Sequence, residues 1–203
     1  MNILIIPIMA ALLSCKNSLN KDVEYSKQLN FFGKDLVDHF PTEGAYKSFS
    51  LGIDTVAYYN TLSIVATIEL SQENLNAILN NNKKPLIDNQ DSNIIVVNSF
   101  LSRQNFPTPA TVFCGEQCID KTILKEPFFV LPNFYLNEYS DSSTITRLPN
   151  QFKHIPIEQR TGIYSDKIDI NKSTMPSNIF HGFSKGISFD KDKNVVIYWT
   201  IVW

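Results

Sequence analysis

The spacing of apolar residues between residues 25 and 41 predicts an amphipathic helix. Apolar side chains recur there every three or four positions, which places them on one face of a helix. They are Leu29, Phe32, Leu36, Val37 and Phe40. Pro41 follows the last of them and is a natural end for the helix, because proline lacks the backbone N–H that the helix needs.

The next segment changes to the composition that is typical of strands. The stretch "YKSFSLGIDTVAYYNTLSIVATIEL" is rich in β-branched and aromatic residues and predicts two strands, with Tyr59 and Asn60 near the turn. Ser71 then predicts the N-cap of a short helix, "SQENLNAILNNN", whose apolar face is narrow. The stretch "SNIIVVNSFLS" predicts another strand.

The second half of the chain gives weaker patterns until its last segment. "QNFPTPATVFCGEQC" and "KEPFFVLPNFYL" combine prolines with aromatic residues, which favours extended edge segments or loops. Residues 138–182 carry many turn formers and no clear period. "KGISF", "DKDKN" and "VVIYWTIVW" then predict a strand, a turn and a strand. The last segment is apolar on both faces, which indicates a central strand in a covered sheet.

These elements together predict an α+β fold in a single domain over residues 25–203. We expect an antiparallel or mixed sheet, with the N-terminal amphipathic helix packed on it and a C-terminal β-hairpin. The chain of 203 residues suits one domain and can bury a core without a metal or a disulfide.

An apolar run at the start of the chain bears on the cellular location of the domain. Residues 3–13 are apolar, too few to span a bilayer but suited to a signal peptide, and the run ends in Leu12, Leu13, Ser14 and Cys15. This ending resembles the lipobox of bacterial lipoproteins, although no Lys or Arg precedes it. The alternative is an ordinary hydrophobic N-terminal helix or strand.

The resemblance implies that residues 1–14 are removed as a signal peptide and that Cys15 becomes the lipidated first residue. Residues 15–24 would then form a polar tether to a membrane of the cell envelope. In the lipoproteins that this start resembles, Asp after the Cys often retains the protein at the inner membrane. Lys16 stands there instead, so an outer membrane is favoured where the cell has one.

Two further cysteines, Cys114 and Cys118, stand in "CGEQC". An even pair in an exported protein predicts a disulfide, and closing so short a loop would stabilise by about 2 kcal/mol. Two free thiols are the alternative. A zinc site would need two more ligands, and a thioredoxin-like redox site would have C-x-x-C spacing rather than C-x-x-x-C.

Other candidate motifs fail on their context. "GFSKG" matches the nucleophile elbow of hydrolases. However, a hairpin rather than a helix is predicted after Ser184, and all three histidines precede it. We therefore expect a glycine-containing turn that leads into the last hairpin. "DKDKN" lacks the Gly and the Glu of a Ca²⁺-binding loop. A terminal Trp203 resembles the end of an outer-membrane barrel strand, yet no polar lumen face accompanies it. The net charge of −2, without a basic stripe, gives no support to nucleic-acid binding.

The three histidines, His39, His154 and His181, are scattered along the sequence. His39 falls at the predicted helix end, where a charged imidazole would complement the helix dipole. The sequence therefore assigns no catalytic residue, no metal and no cofactor. It favours a non-enzymatic binding or structural lipoprotein with an unidentified ligand or protein partner, and the alternative is an envelope hydrolase whose site is assembled only by the fold.

Overall fold

A mostly antiparallel sheet with few helices around it makes this a mixed α/β structure. The computed structural model describes residues 21–42, 45–54, 60–91, 93–97, 128–134, 136, 138–171, 175 and 179–203. The coarse fold class that the sequence predicts is therefore confirmed.

Eight strands are present in the described part of the chain. They are β1 (Ser48–Asp54), β2 (Thr61–Glu69), β3 (Ile87–Asp88), β4 (Ile94–Val96), β5 (Phe129–Leu131), β6 (Lys153–Thr161), β7 (Gly182–Asp190) and β8 (Val195–Val202). Six of them form one sheet in the order β1-β2-β8-β7-β6-β3, and every pairing in it is antiparallel. β4 and β5 pair in parallel as a separate small sheet. β8 therefore lies between β2 and β7, which confirms the central position predicted from its apolar pattern.

Within the described ranges, three α-helical segments accompany the sheet. The first, α1, covers residues 21–32, and α2 (Lys34–Val37) follows after Gly33, whose φ of 90° interrupts the helix. Helical structure thus includes residues 21–24, which the sequence analysis assigned to the tether. The third helix, α3 (Gln72–Asn81), begins at the predicted cap, where the Ser71 hydroxyl accepts a hydrogen bond from the backbone N–H of Asn74.

The two faces of the six-stranded sheet are covered by different elements. We name the faces by the side chains of β7 that point to each of them. Its helix face carries Phe183, Lys185, Ile187 and Phe189, and its loop face carries Gly182, Ser184, Gly186 and Ser188, because side chains alternate along a strand. On the helix face, α1 and α2 pack against β2, β7 and β8, and the buried Leu75 of α3 packs there too. On the loop face, β4, β5 and side chains from residues 134, 136 and 138–152 cover the sheet.

The predicted turn at Tyr59 and Asn60 lies mostly outside the described residues. Asn60 itself directly precedes β2 and adopts a φ of 50°, which asparagine tolerates better than most residues. The predicted final turn connects β7 to β8. The nine-residue strand β6 runs through the segment in which no regular element was predicted.

Candidate functional site

The Gly-x-Ser-x-Gly motif lies inside β7 and not in a turn, so the expected turn there is wrong. Gly186 is paired with Trp199, and the backbone groups of Gly182 and Trp203 hydrogen-bond to each other. A Cβ at Gly186 would lie 2.6 Å from Cζ2 of Trp199, and one at Gly182 would lie 2.6 Å from Cζ2 of Trp203. The two glycines therefore make room for two buried tryptophan rings, and the motif is explained by packing.

Ser184, between these glycines, is fully buried and its hydroxyl has no hydrogen-bond partner. A serine nucleophile needs a base within hydrogen-bond reach to take its proton. His181 does not supply that base, because its two ring nitrogens face the carbonyl oxygens of Trp203 and Ile170 at 3.2 and 2.9 Å. Ser184 and His181 are thus close along the chain without forming a catalytic pair.

Further along the loop face of β7, Ser188 does contact a histidine. Its hydroxyl lies 2.8 Å from Nδ1 of His154, and Nε2 of His154 lies 3.0 Å from Oδ1 of Asn89. Trp199 donates its indole N–H to the same Ser188 hydroxyl oxygen at 3.0 Å. The side chains of Ser188, His154, Asn89 and Trp199 therefore form one hydrogen-bonded chain, which we call the Ser188–His154 network.

The donors and acceptors of this network specify one arrangement of protons. Nε2 of His154 faces the amide oxygen of Asn89, which can only accept, so Nε2 carries the ring proton and donates it, and the same oxygen also accepts from the Thr146 hydroxyl. Nδ1 of the neutral ring is then an acceptor, so the Ser188 O–H donates to it while the Ser188 oxygen accepts from Trp199. The Asn89 amide nitrogen donates to the carbonyl oxygen of Leu148 at 2.7 Å. The neutral Nε2–H tautomer of His154 satisfies every group in the network.

The order serine–histidine–asparagine resembles a hydrolytic triad in its connectivity, but its surroundings do not suit catalysis. Ser188 and His154 are both fully buried. Burial lowers the pKa of His154 to about 3, with a smaller effect from the charge of Lys153. The imidazole therefore stays neutral at physiological pH, and a substrate cannot reach the serine. The network instead joins the loop that contains Thr146 and Leu148 to the sheet.

A polar concavity of about 440 Å³ opens on the outer side of Asn89. Every residue that lines it is polar or charged: Asp88, Asn89, Gln90, Asp91, Asn150 and Lys153. The Lys153 ammonium is paired with the Asp88 carboxylate, and Asp91 accepts a hydrogen bond from the backbone N–H of Asn93. The hydrogen bonds of the Ser188–His154 network hold the side chain of Asn89, one of the residues that line the concavity.

His39 has a different role from the one its position predicted. Its Nε2 atom lies 3.1 Å from the carbonyl oxygen of Trp199, and its side chain is 8% exposed. Burial lowers the pKa of His39 to about 4, and the nearby charge of Lys185 also lowers it. The prediction of a charged imidazole that complements a helix dipole is therefore wrong, because the ring is neutral and packed against the sheet.

Lys185 is an enclosed charge on the helix face, with a side chain only 5% exposed. Its ammonium donates to the Asp38 carboxylate at 2.8 Å and to the backbone carbonyl of Asp35 at 2.6 Å, and it lies 3.3 Å from the Glu158 carboxylate. The hydrogen bond from Lys185 lowers the pKa of Asp38. The contacts with Asp35 and Asp38 attach α2 and the residue that follows it to the centre of the sheet.

The other candidate residues give no site in the part of the chain that is described. Cys15, Cys114 and Cys118 lie outside the described residues. The "DKDKN" segment closes the β7–β8 turn, where the Asp190 carboxylate accepts from the backbone N–H groups of Asp192 and Lys193. Within the described ranges, no group of three or more His, Cys, Asp or Glu residues is placed to hold a metal ion.

The motif in the sequence pointed to Ser184 alone and gave no indication that His154 pairs with Ser188. One signal could have indicated the arrangement. Small residues recur at every second position from Gly182 to Ser188, and the spacing of four between the two glycines equals the spacing between Trp199 and Trp203. Asn89 and Thr146 carry no such signal, since they reach the network only through the fold.

In comparisons with known proteins, no family model, no curated protein and no solved structure matches the chain. None of the helices in the described ranges is long and apolar enough to cross a membrane.

Proposed function

We propose that the chain is an exported, lipid-anchored protein of the bacterial cell envelope, whose domain acts by binding or as a structural component and not by catalysis. The membrane attachment rests on the apolar run that ends at Cys15. A lipid there would hold the protein on the membrane without a spanning helix, since buried acyl chains contribute about 0.8 kcal/mol per CH₂ group. An outer membrane is the favoured location where the cell has one. In this proposal the amphipathic helix near the N terminus connects the anchor to the sheet.

The observation that carries the non-catalytic part is the burial of the Ser188–His154 network. Its serine and histidine are the best-placed nucleophile and base in the described part of the chain, and both are fully buried. The network has no unsatisfied donor or acceptor left for a substrate. A binding role has a place to act in the polar concavity beside Asn89, whose side chains offer amide, carboxylate and ammonium groups.

Replacing Cys15 with Ser tests the anchor. We expect the native protein to fractionate with membranes and to incorporate labelled palmitate. The C15S variant should carry no label and should remain uncleaved. A matched C118S variant, which keeps the lipobox, should be processed and labelled like the native protein. Normal processing and fractionation of C15S would overturn the proposed anchor.

An envelope hydrolase is the second candidate, because Ser188, His154 and Asn89 are connected in the order of a triad. Hydrolysis of a small activated ester by the purified full chain tests it. We expect no hydrolysis above the buffer rate. Activity that S188A abolished while the circular dichroism of the protein was unchanged would favour the hydrolase.

A further inference from the structure

The six-stranded sheet has free backbone edges along β1 on one side and along the part of β6 that the short β3 leaves uncovered on the other, and these two edges differ in how they are protected. An exposed strand edge presents unpaired N–H and C=O groups, and proteins commonly protect such edges with proline, bulges, charges or a covering segment. β6 is close to one side of the sheet, since β3 pairs only with its first two residues. β1 is the strand at the other side.

The outer side of β6 carries three of these protective features. Pro156 has no backbone N–H to donate, and the register of β6 against β7 shifts between Pro156 and Glu158. Glu158 and the exposed Arg160 form an ion pair at 2.6 Å beyond the shift. A strand from another molecule would therefore meet a kinked and charged edge here.

β1 has none of these features along residues 48–52. Its register with β2 is unbroken, and it contains neither proline nor a charged residue in this stretch. Ser48, Ser50 and Gly52 are exposed, whereas Phe49 and Leu51 are partly buried on the helix face. No strand among the described residues pairs with its outer side.

We propose that β1 is a docking edge for a second copy of this chain, which pairs with it through its own β1 in antiparallel orientation. The sequence of the edge is self-complementary about Ser50. In that register Phe49 lies opposite Leu51 of the second copy, Ser48 lies opposite Gly52, and no two like charges oppose each other. The pairing continues the sheet across a two-fold axis and covers the partly exposed apolar side chains of both strands.

A cysteine introduced in place of Ser50 gives the most direct test in the full-length protein. Residues directly opposite each other in antiparallel strands have Cα atoms about 4.5–5.5 Å apart, a distance that a disulfide can bridge. We expect S50C to form a disulfide-linked dimer in isolated membranes under oxidising conditions. Digestion should then release a peptide pair joined through the two introduced thiols. T161C, an exposed position on β6, and the wild type are the matched controls and should not form this dimer.

A charge at the same position supplies the second test. The detergent-extracted wild type should have the mass of a dimer by light scattering. S50K places two ammonium groups opposite each other and should shift the mass to a monomer, whereas T161K should leave it a dimer. A monomeric wild type together with an S50C that forms no crosslink would overturn the proposal, and so would a dimer whose mass S50K does not change.

Discussion

Gly186 and Trp199 pack so closely that the strand has no room for a side chain at position 186. An added Cβ would lie 2.6 Å from Cζ2 of Trp199 and 2.5 Å from the backbone oxygen of Ile155. Real Cβ atoms essentially never approach other heavy atoms so closely. This contact explains why a sequence that looks like a nucleophile elbow lies in the middle of a strand.

The first prediction follows from this contact. G186A should lower the free energy of unfolding by about 3 kcal/mol, because overpacking a filled core forces the ring and the backbone apart. Urea unfolding followed by tryptophan fluorescence measures it. S184A, two residues away on the same face, is the control and should cause no loss. A G186A variant as stable as the wild type would contradict the packing described here.

The two serines of β7 should respond differently to removal of their hydroxyls. Ser184 has a buried hydroxyl without a partner, so S184A should leave the stability unchanged or raise it by about 1 kcal/mol. S188A leaves the buried indole N–H of Trp199 and Nδ1 of His154 unsatisfied, and should lower the stability by about 1–3 kcal/mol. Chemical denaturation of both variants checks this order. Equal effects would show that the hydrogen bonds of Ser188 contribute nothing.

The buried histidines predict a loss of stability in mild acid. The unfolded chain takes up protons at its histidines near pH 6.5, whereas burial lowers the folded pKa to about 3 for His154 and about 4 for His39. The unfolded state therefore binds more protons below pH 6.5, and stability falls as the pH falls towards the folded values. Each histidine contributes a loss of about 2 kcal/mol between pH 6.5 and pH 5.

Urea unfolding at pH 7, 6 and 5 measures this dependence over an interval in which most carboxylates stay ionised. H154Q and H39Q should each be less stable at pH 7 and should each lose less stability than the wild type between pH 7 and pH 5. A wild-type stability that does not change over this interval would mean that these imidazoles are not held neutral by the fold.

The ion pairs of Lys185 with Asp38 and Glu158 predict that removing the lysine charge restores stability lost when both carboxylates are removed. Asp38 is 56% exposed whereas Lys185 is 5% exposed, so the lysine depends more on its partners. Replacing both carboxylates in D38N/E158Q leaves a buried ammonium without a counter-ion and should lower the stability by about 3 kcal/mol. Adding K185M should restore part of that loss, because it removes the unpaired charge. A triple variant less stable than the double variant would contradict this account.

The cysteine pair supplies a chemical prediction. If Cys114 and Cys118 form the disulfide that an exported pair favours, an alkylating reagent should modify both of them only after the protein is denatured and reduced. Intact mass with and without reductant measures the modification. Alkylation of both thiols in the denatured but unreduced protein would show that no disulfide is present.

The sequence predicted helices and strands correctly where apolar and polar side chains follow the period of a single element. The apolar positions of β8 indicated its central place, and Ser71 indicated the start of α3. β6 was missed because Pro156 and the charged residues of its second half break the strand pattern, and its pairing with β7 comes from residues distant in the sequence. The Ser188–His154 network was missed for the same reason, since Asn89 and Thr146 come from two separate loops.

The proposal of a lipid-anchored envelope protein is tested most directly by the mass of the N-terminal peptide of the native protein, isolated from membranes. We predict a peptide that begins at Cys15 and carries a diacylglycerol group on its sulfur. A peptide that begins at Met1, or one that contains an unmodified Cys15 inside a longer chain, would contradict the proposal.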